Sequence, residues 1–307
     1  MDRKIFADLH NHTTASDGDY TPEELVKQAE IKRINAVGIT DHDTLNGLQE
    51  GLAAGKKYSV EVIPGVEVSI RFERSYFTGT LHLLCYFNKD LLADNGFVNE
   101  FKRILAQGRG EELVRERIDK INRFFGPRSI RSGQTDPLLK RDLEFEEIAA
   151  LGSHATRRHF SVALKENFHI TDSDTINAII GNSSKAYLPS GIPLKEIINF
   201  IRKNRIVAVL AHPAAGSFPG KGHYKEVLPP FDVVEKIFPE FLEAGISGFE
   251  VYYPGHTEEY QERLKKRVLK NRLILTGGSD CHDGIERPFG VRGISKDEFK
   301  RFKEALI

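Results

Sequence analysis

The chain has no tryptophan, one methionine, two cysteines and no net charge. The missing tryptophan excludes nothing by itself. Two cysteines, Cys85 and Cys281, cannot build a disulfide framework. That excludes the small stapled scaffolds of secreted proteins and suits a reducing cytoplasm. Forty-four basic residues balance forty-four acidic ones, so no global field would gather nucleic acid or a membrane surface. A local basic patch is compatible with the same totals. No apolar run is long enough to span a bilayer, and the opening Met1-Asp2-Arg3-Lys4-Ile5-Phe6 lacks the apolar stretch of a secretion signal. There is no internal repeat and no low-complexity segment. The composition is that of a soluble globular protein, 40% hydrophobic and 29% charged. Its 307 residues suffice for one large α/β barrel or two ordinary domains.

The outer parts of the sequence alternate strand and helix. Residues 4–9 read as a buried strand. Thr21-Pro22-Glu23-Glu24 is a helix start, with a threonine cap, proline at the first helical position and glutamate three residues after the cap. That helix is expected to run to about Lys32, with Leu25, Val26 and Ala29 on one face. Residues 36–40 read as a strand, 45–57 as a helix, and 60–69 and 81–87 as further strands. The rhythm returns with a strand at 206–210, a helix at 231–244, a strand at 248–253, a helix at 257–269 and a strand at 273–277. Such alternation implies a mostly parallel sheet closed as a barrel. Between them, residues 97–189 carry few strand signals. Residues 101–125 are charged and helical in period, 127–136 form a polar loop, and 145–151, 155–166 and 172–180 read as short helices. The expected organisation is a barrel from 1–96 and 190–307 with a helical insertion, 97–189, capping the active site.

Histidines and carboxylates gather at the ends of the expected strands. The segments are Asp8-Leu9-His10-Asn11-His12, Thr40-Asp41-His42-Asp43, Ala211-His212-Pro213 and Ser279-Asp280-Cys281-His282. Glu67 and His82 extend the set, and Asp17 sits in the turn before the capped helix. In extended backbone, residues two apart point to one side, so His10 with His12, and Asp280 with His282, address one cavity. Active residues of a parallel barrel lie at the carboxyl ends of its strands. Imidazole with carboxylate is the ligand set for Zn²⁺, Mn²⁺ or Fe²⁺, and this set is too large for one ion. A lone histidine at a strand end is more often structural, the reading given to His169 and His223. Alternation turns Cys281 into the packing, and Asp41 and Asp43 read as supporting or turn residues rather than ligands.

The run from Asp8 to Gly18 resembles the opening motif of the PHP (polymerase and histidinol phosphatase) superfamily. Gly38-Ile39-Thr40-Asp41-His42-Asp43-Thr44, Pro64-Gly65-Val66-Glu67 and Gly278-Ser279-Asp280-Cys281-His282 resemble its later motifs. Ala155-Thr156-Arg157-Arg158-His159-Phe160 resembles a segment of the TrpH-like branch of those phosphoesterases. The resemblance implies an α/β fold, a distorted (β/α)₇ barrel, with two or three divalent ions. One ion would take His10, His12, Glu67 and Asp280. A second would share Glu67 and add His82 and His212, and a third would take Asp17, His42 and His282. The branch resembles phosphatases of nucleoside 3′,5′-bisphosphates and 5′→3′ exonucleases of short RNA.

A site with several metals suits attack on phosphorus by a metal-bridging hydroxide, with His10, His12, Glu67 and Asp280 as its catalytic frame. Phosphate also needs groups away from the metals. Arg157, Arg158 and His159 are the leading candidates and Lys185 the next, although one of the adjacent arginines is expected on a solvated face. His256 reads equally as a phosphate ligand or general acid and as a turn residue. The expectation is a cytoplasmic, metal-dependent phosphatase or phosphodiesterase. Its substrate would be a small nucleotide, such as a nucleoside 3′,5′-bisphosphate or AMP, or the 5′ end of short RNA, with no membrane or duplex DNA partner. Histidinol-phosphate phosphatase is the alternative enzyme, and a metal-stabilised scaffold the alternative without chemistry.

Overall fold

A computed structural model describes residues 4–108, 110–132, 137–152, 155–219 and 228–306, so the expectation for His223 lies outside the described residues. The first units are short and regular. Strand β1 (Ala7–Asp8) leads to helix α1 (Pro22–Ile31), whose start carries the expected reciprocal cap between Thr21 and Glu24. Strand β2 (Ala36–Ile39), helix α2 (Leu48–Tyr58) and strand β3 (Glu61–Arg74) follow. β1, β2 and β3 pair in parallel.

The parallel order then breaks. β3 runs five residues past the expected end and turns directly into β4 (Phe77–Tyr86), which pairs with it antiparallel from Gly65–Tyr86 out to Arg74–Phe77. β4 also pairs antiparallel with β6 (Val207–Leu210). A two-residue strand, β5 (Ile192–Pro193), joins the extended part of β3. Parallel pairing resumes through β7 (Gly248–Tyr252) and β8 (Ile274–Gly277). The order is therefore β1-β2-β3-β4-β6-β7-β8. The sheet is mixed but still mostly parallel, with β4 antiparallel to β3 and β6, and it forms a nearly closed, distorted barrel. At the seam Leu9 N–H donates to Gly277 O and His12 N–H to Cys281 O. Gly278 permits this approach, because a Cβ there would lie 2.4 Å from His10 N.

The strands' buried faces meet α1, α2, α3 (Asn95–Leu105), α8 (Leu194–Asn204), α9 (Phe231–Ala244), α10 (Glu258–Lys270) and α11 (Lys296–Ala305) in one apolar core. α3 falls inside the segment expected as insertion, yet it belongs to this core. Phe97 and Phe101 pack on Phe87 and Phe200, with ring centroids 4.6–6.1 Å apart. The helical period expected over 101–125 resolves into two helices, α3 and α4 (Glu111–Phe125), with a turn at 106–108 after the first. α4 packs with α5 (Phe145–Ala149), α6 (Arg157–Phe168) and α7 (Ser173–Ile180) around a second core of Val114, Ile121, Phe160, Leu164 and Ile179. A separate apolar core is what lets such a segment hold its own shape. Among the described residues no helix is long and apolar enough to cross a membrane.

Candidate metal centre

The barrel places its polar residues at one end. His10 and His12 follow β1, His42 follows β2, His212 follows β6, and Asp280 and His282 follow β8. Glu67 and His82 lie within β3 and β4, close across the hairpin, where Ser69 pairs with His82 and Glu67 with Leu84. Because β4 runs antiparallel, its first half sits at the carboxyl end of its neighbours. Asp43, His212 and Asp280 all hold positive φ, 51°, 32° and 51°. Strained backbone of this kind persists only where the surroundings enforce it.

Glu67 is the centre of the arrangement. Its Oε2 lies 3.2 Å from His10 Nε2, 3.0 Å from His12 Nε2 and 3.3 Å from His42 Nδ1. Its Oε1 lies 3.0 Å from His82 Nδ1 and 3.1 Å from His212 Nε2, which are 3.2 Å from each other. Asp280 Oδ1 faces the first group, 3.4 Å from His10 Nε2 and 3.1 Å from His12 Nε2. On the far side of His12, Asp17 Oδ1 lies 3.4 Å from His282 Nε2. Donor atoms of His12, Asp17, His42 and His282 all fall within 4.8 Å of one another, as do those of His10, His12, Glu67 and Asp280 and those of His42, Glu67 and His82. All nine residues expected as ligands thus converge, with His12 and His42 each facing two groups.

The donor set fits divalent cations. Glu250 accepts from His10 Nδ1 at 3.0 Å, which fixes the tautomer and turns the Nε2 lone pair towards two carboxylates and a second imidazole, His12 Nε2, 3.3 Å away. Lone pairs converging on one point are satisfied by a cation between them. His12 Nδ1 is buried with no hydrogen-bond partner and lies 3.8 Å from Asp17 Oδ1, on the side of the third group.

The electrostatics agree. Burial opposes ionisation of Glu67, yet His42, His10 and His82 outweigh it and hold the carboxyl well below the usual range. Asp280 is buried too and held low by His10 and Arg287, and buried Asp17 is held low by His282 and His42. His12 resists charging because it is buried, but hydrogen bonds to Asp280 and Glu67 raise it to about 9.

The supporting residues are of two kinds. Asp41 accepts from the Thr13 N–H and hydroxyl and from Ser16 Oγ, and Asp43 accepts from the Ser69 N–H. Sequence reasoning missed Glu250, Thr156, Tyr253 and Arg287. Glu250, fully buried in β7, also accepts from the His212 N–H at 2.8 Å, so it braces two groups of candidate ligands. A carboxylate in the apolar run Gly248-Phe249-Glu250-Val251-Tyr252 was the available signal. Thr156 donates its hydroxyl to Asp17 Oδ2 at 2.6 Å, reaching the centre from the start of α6. Glu250→Gln is expected to weaken metal binding by roughly 10- to 100-fold, because the amide cannot accept from both neighbours. Chelator competition checks this, and affinity equal to wild type refutes the brace.

Two of the expected site residues hold the fold. His256 is buried with both ring nitrogens on backbone: Nδ1 donates to Val251 O at 2.9 Å, and Nε2 accepts from the Ala214 N–H at 3.0 Å. Burial pushes it down to about 4. It is a neutral staple with no nitrogen left to hold phosphate or protonate a leaving group. Arg157 Nη2 donates to Ile180 O and Asn182 Oδ1, so it ties α6 to the end of α7. Arg158 bridges Asp283 and Asp19 at the rim of the centre. His159 Nδ1 accepts the Thr156 N–H at the start of α6, and Lys185 is exposed beyond α7.

Comparison with known proteins agrees with this geometry. The PHP domain pattern matches residues 8–99. The 5′–3′ exoribonuclease Rnm of Salmonella typhimurium is 31% identical over 94% of this chain and 92% of its own length. The phosphoribosyl 1,2-cyclic phosphate 1,2-diphosphodiesterase of Eggerthella lenta is 26% identical over 92% of this chain and 96% of its own. A solved structure from Bifidobacterium adolescentis, assigned to the metal-dependent phosphoesterases, superimposes with a TM-score of 0.73 at 24% identity, covering 98% of this chain and 96% of that one. The chain belongs to the PHP family and is a metal-dependent hydrolase of phosphoric ester bonds.

Proposed function

We propose that the enzyme hydrolyses a phosphate ester of a small nucleotide, such as a nucleoside 3′,5′-bisphosphate or AMP, or the 5′ end of short RNA. His10, His12, Glu67 and Asp280 would hold one divalent cation, Glu67, His82 and His212 a second, and Asp17, His42 and His282 a third. The observation that carries this reading is Glu67, whose two oxygens each meet a different set of imidazoles within 3.3 Å. A carboxylate so placed suits adjacent ions. Bound cations of the Zn, Mn or Fe type would supply an acidified water and neutralise charge on the phosphoryl oxygens.

The chain's own residues set the rest. Glu250 orients His10, Thr156 holds Asp17, and Tyr253 donates to Asp280 Oδ2 at 2.9 Å. The helical segment around the second core would cap the site, a reading supported by the Thr156–Asp17 and Arg158–Asp283 contacts. The exoribonuclease and the cyclic phosphodiesterase among its relatives support a ribose-phosphate substrate. Two free, buried cysteines support a reducing compartment such as the cytoplasm.

The test is turnover, with Mn²⁺ added, of 3′-phosphoadenosine 5′-phosphate, AMP, a 5′-phosphorylated RNA trinucleotide, a ribosyl 1,2-cyclic phosphate and histidinol phosphate. The bisphosphate, AMP or the trinucleotide is expected to be the best substrate by kcat/KM. Preference for histidinol phosphate, or no turnover of any nucleotide or RNA, overturns the proposal.

A further inference from the structure

The residues expected to meet phosphate are largely engaged elsewhere, and the structure offers another cation. Arg287 Nη1 donates to Asp280 Oδ2 at 3.1 Å. That oxygen is the outer one of Asp280, the inner Oδ1 facing His10 and His12. Nη1 also stands 3.1 Å from His282 Nδ1. That nitrogen points at Asp280 O, 2.9 Å away, a carbonyl that only accepts, so the ring nitrogen is a donor and cannot take the guanidinium proton. The same Nη1 thus rests on a carboxylate and is pressed against an imidazole N–H that repels it. The side chain is 19% exposed beside ligands that are almost wholly buried. Arg287 marks the boundary between the cage and solvent.

Its backbone is fixed. Asp283 Oδ1 accepts from the N–H groups of Ile285, Glu286 and Arg287 at 2.6–3.1 Å. The N–H groups of His282 and Asp283 both return to Arg287 O. Asp283 Oδ2 meets Arg158 Nη1 at 3.2 Å, so α6 braces the turn from the other side. A turn closed by five hydrogen bonds and an ion pair holds one arginine at the mouth of a candidate metal centre. It sits on the same carboxylate that faces two of the cage imidazoles.

We propose that Arg287 is the phosphate-binding residue of this enzyme. It would grip the non-bridging oxygens of the phosphoryl group from the solvent side, with Asp283 and Arg158 as positioning residues. The guanidinium fork matches two phosphate oxygens. Cations held by the cage residues would compete with Arg287 for the charge of Asp280 and leave the guanidinium available to an anion. The inference rests on the phosphoesterase reading of the site.

The test uses full-length wild type, Arg287→Ala and Arg287→Lys, each loaded with Mn²⁺. Elemental analysis gives the metal content, calorimetry the affinity for inorganic phosphate, and steady-state kinetics KM and kcat. Arg287→Ala is expected to keep its metals and to weaken phosphate binding and raise KM by roughly 10- to 100-fold. Arg287→Lys should keep the charge, lose the fork and fall between the two, and it carries the test alone if the alanine variant does not fold. Unchanged phosphate affinity overturns the proposal. So does loss of metal in step with affinity, which would make Arg287 a prop for Asp280. A wild type that binds phosphate through Arg287 but turns over no nucleotide or RNA refutes the substrate assignment alone.

Discussion

Glu67→Ala is expected to abolish phosphoesterase activity and to strip most of the bound metal while the barrel stays folded. The carboxylate meets five imidazole nitrogens within 3.3 Å, and among the described residues no other carboxylate meets ring nitrogens of both sets. Removing it leaves those rings without their shared counter-charge. Divalent ions contribute several kcal/mol to the charge stabilisation of phosphoryl transfer. Their loss should therefore lower kcat/KM by about three orders of magnitude or more. Glu67→Gln keeps the volume but offers one acceptor and one donor, and it should lose nearly as much activity. Elemental analysis with circular dichroism checks both halves. A Glu67→Ala protein that keeps its full metal content and more than a tenth of wild-type turnover would remove Glu67 from the centre of the mechanism.

The candidate cluster was legible because its signal is local. His10 and His12, or Asp280 and His282, advertise a shared cavity through a spacing of two at a strand end. Glu67 follows a short β-branched strand pattern, and Asp17 sits in a turn fixed by the Thr21 cap. Two helix starts were legible for the same reason: Thr21 and Thr257 begin helices through caps made within three residues. Strand direction was not legible. The β3–β4 connection is Ser75-Tyr76, without the Asn-Gly or Asp-Gly signature of a tight hairpin, so β4 read as one more parallel strand.

Partners distant in sequence were not legible either. Glu250 lies 240 positions from His10, and Thr156 lies 139 from Asp17. Only the closed barrel and the placement of α6 bring them together. Arg157 shows the reverse case. Its motif pointed to phosphate, while α6 packing against α7 assigns its Nη2 to Ile180 O and Asn182.

His256 carries the second large effect, on stability rather than chemistry. Its ring joins the end of β7 to the turn after His212, through Val251 O and the Ala214 N–H, and all three groups are buried. Alanine would leave a carbonyl and an amide without partners, at about 1–3 kcal/mol each. With the space left behind, the expected loss is roughly 3–5 kcal/mol. The neutral ring also ties stability to pH. Its folded value of about 4 lies below the free value of 6.5, so the unfolded chain takes up the proton first as pH falls. Its stabilisation is complete above pH 6.5 and is lost as pH falls towards 4, by about 3 kcal/mol in all. Denaturant unfolding of wild type and His256→Asn at pH 7.5, 5.5 and 4.5 isolates this contribution, since every other titrating group is common to both. The asparagine can keep the bond to Val251 O but cannot titrate, so the gap between the proteins should narrow as pH falls. A gap independent of pH would mean that the folded ring accepts a proton as readily as the free one. That would return His256 to the candidates for proton transfer, since a ring protonating near 6.5 could not be locked between two backbone groups.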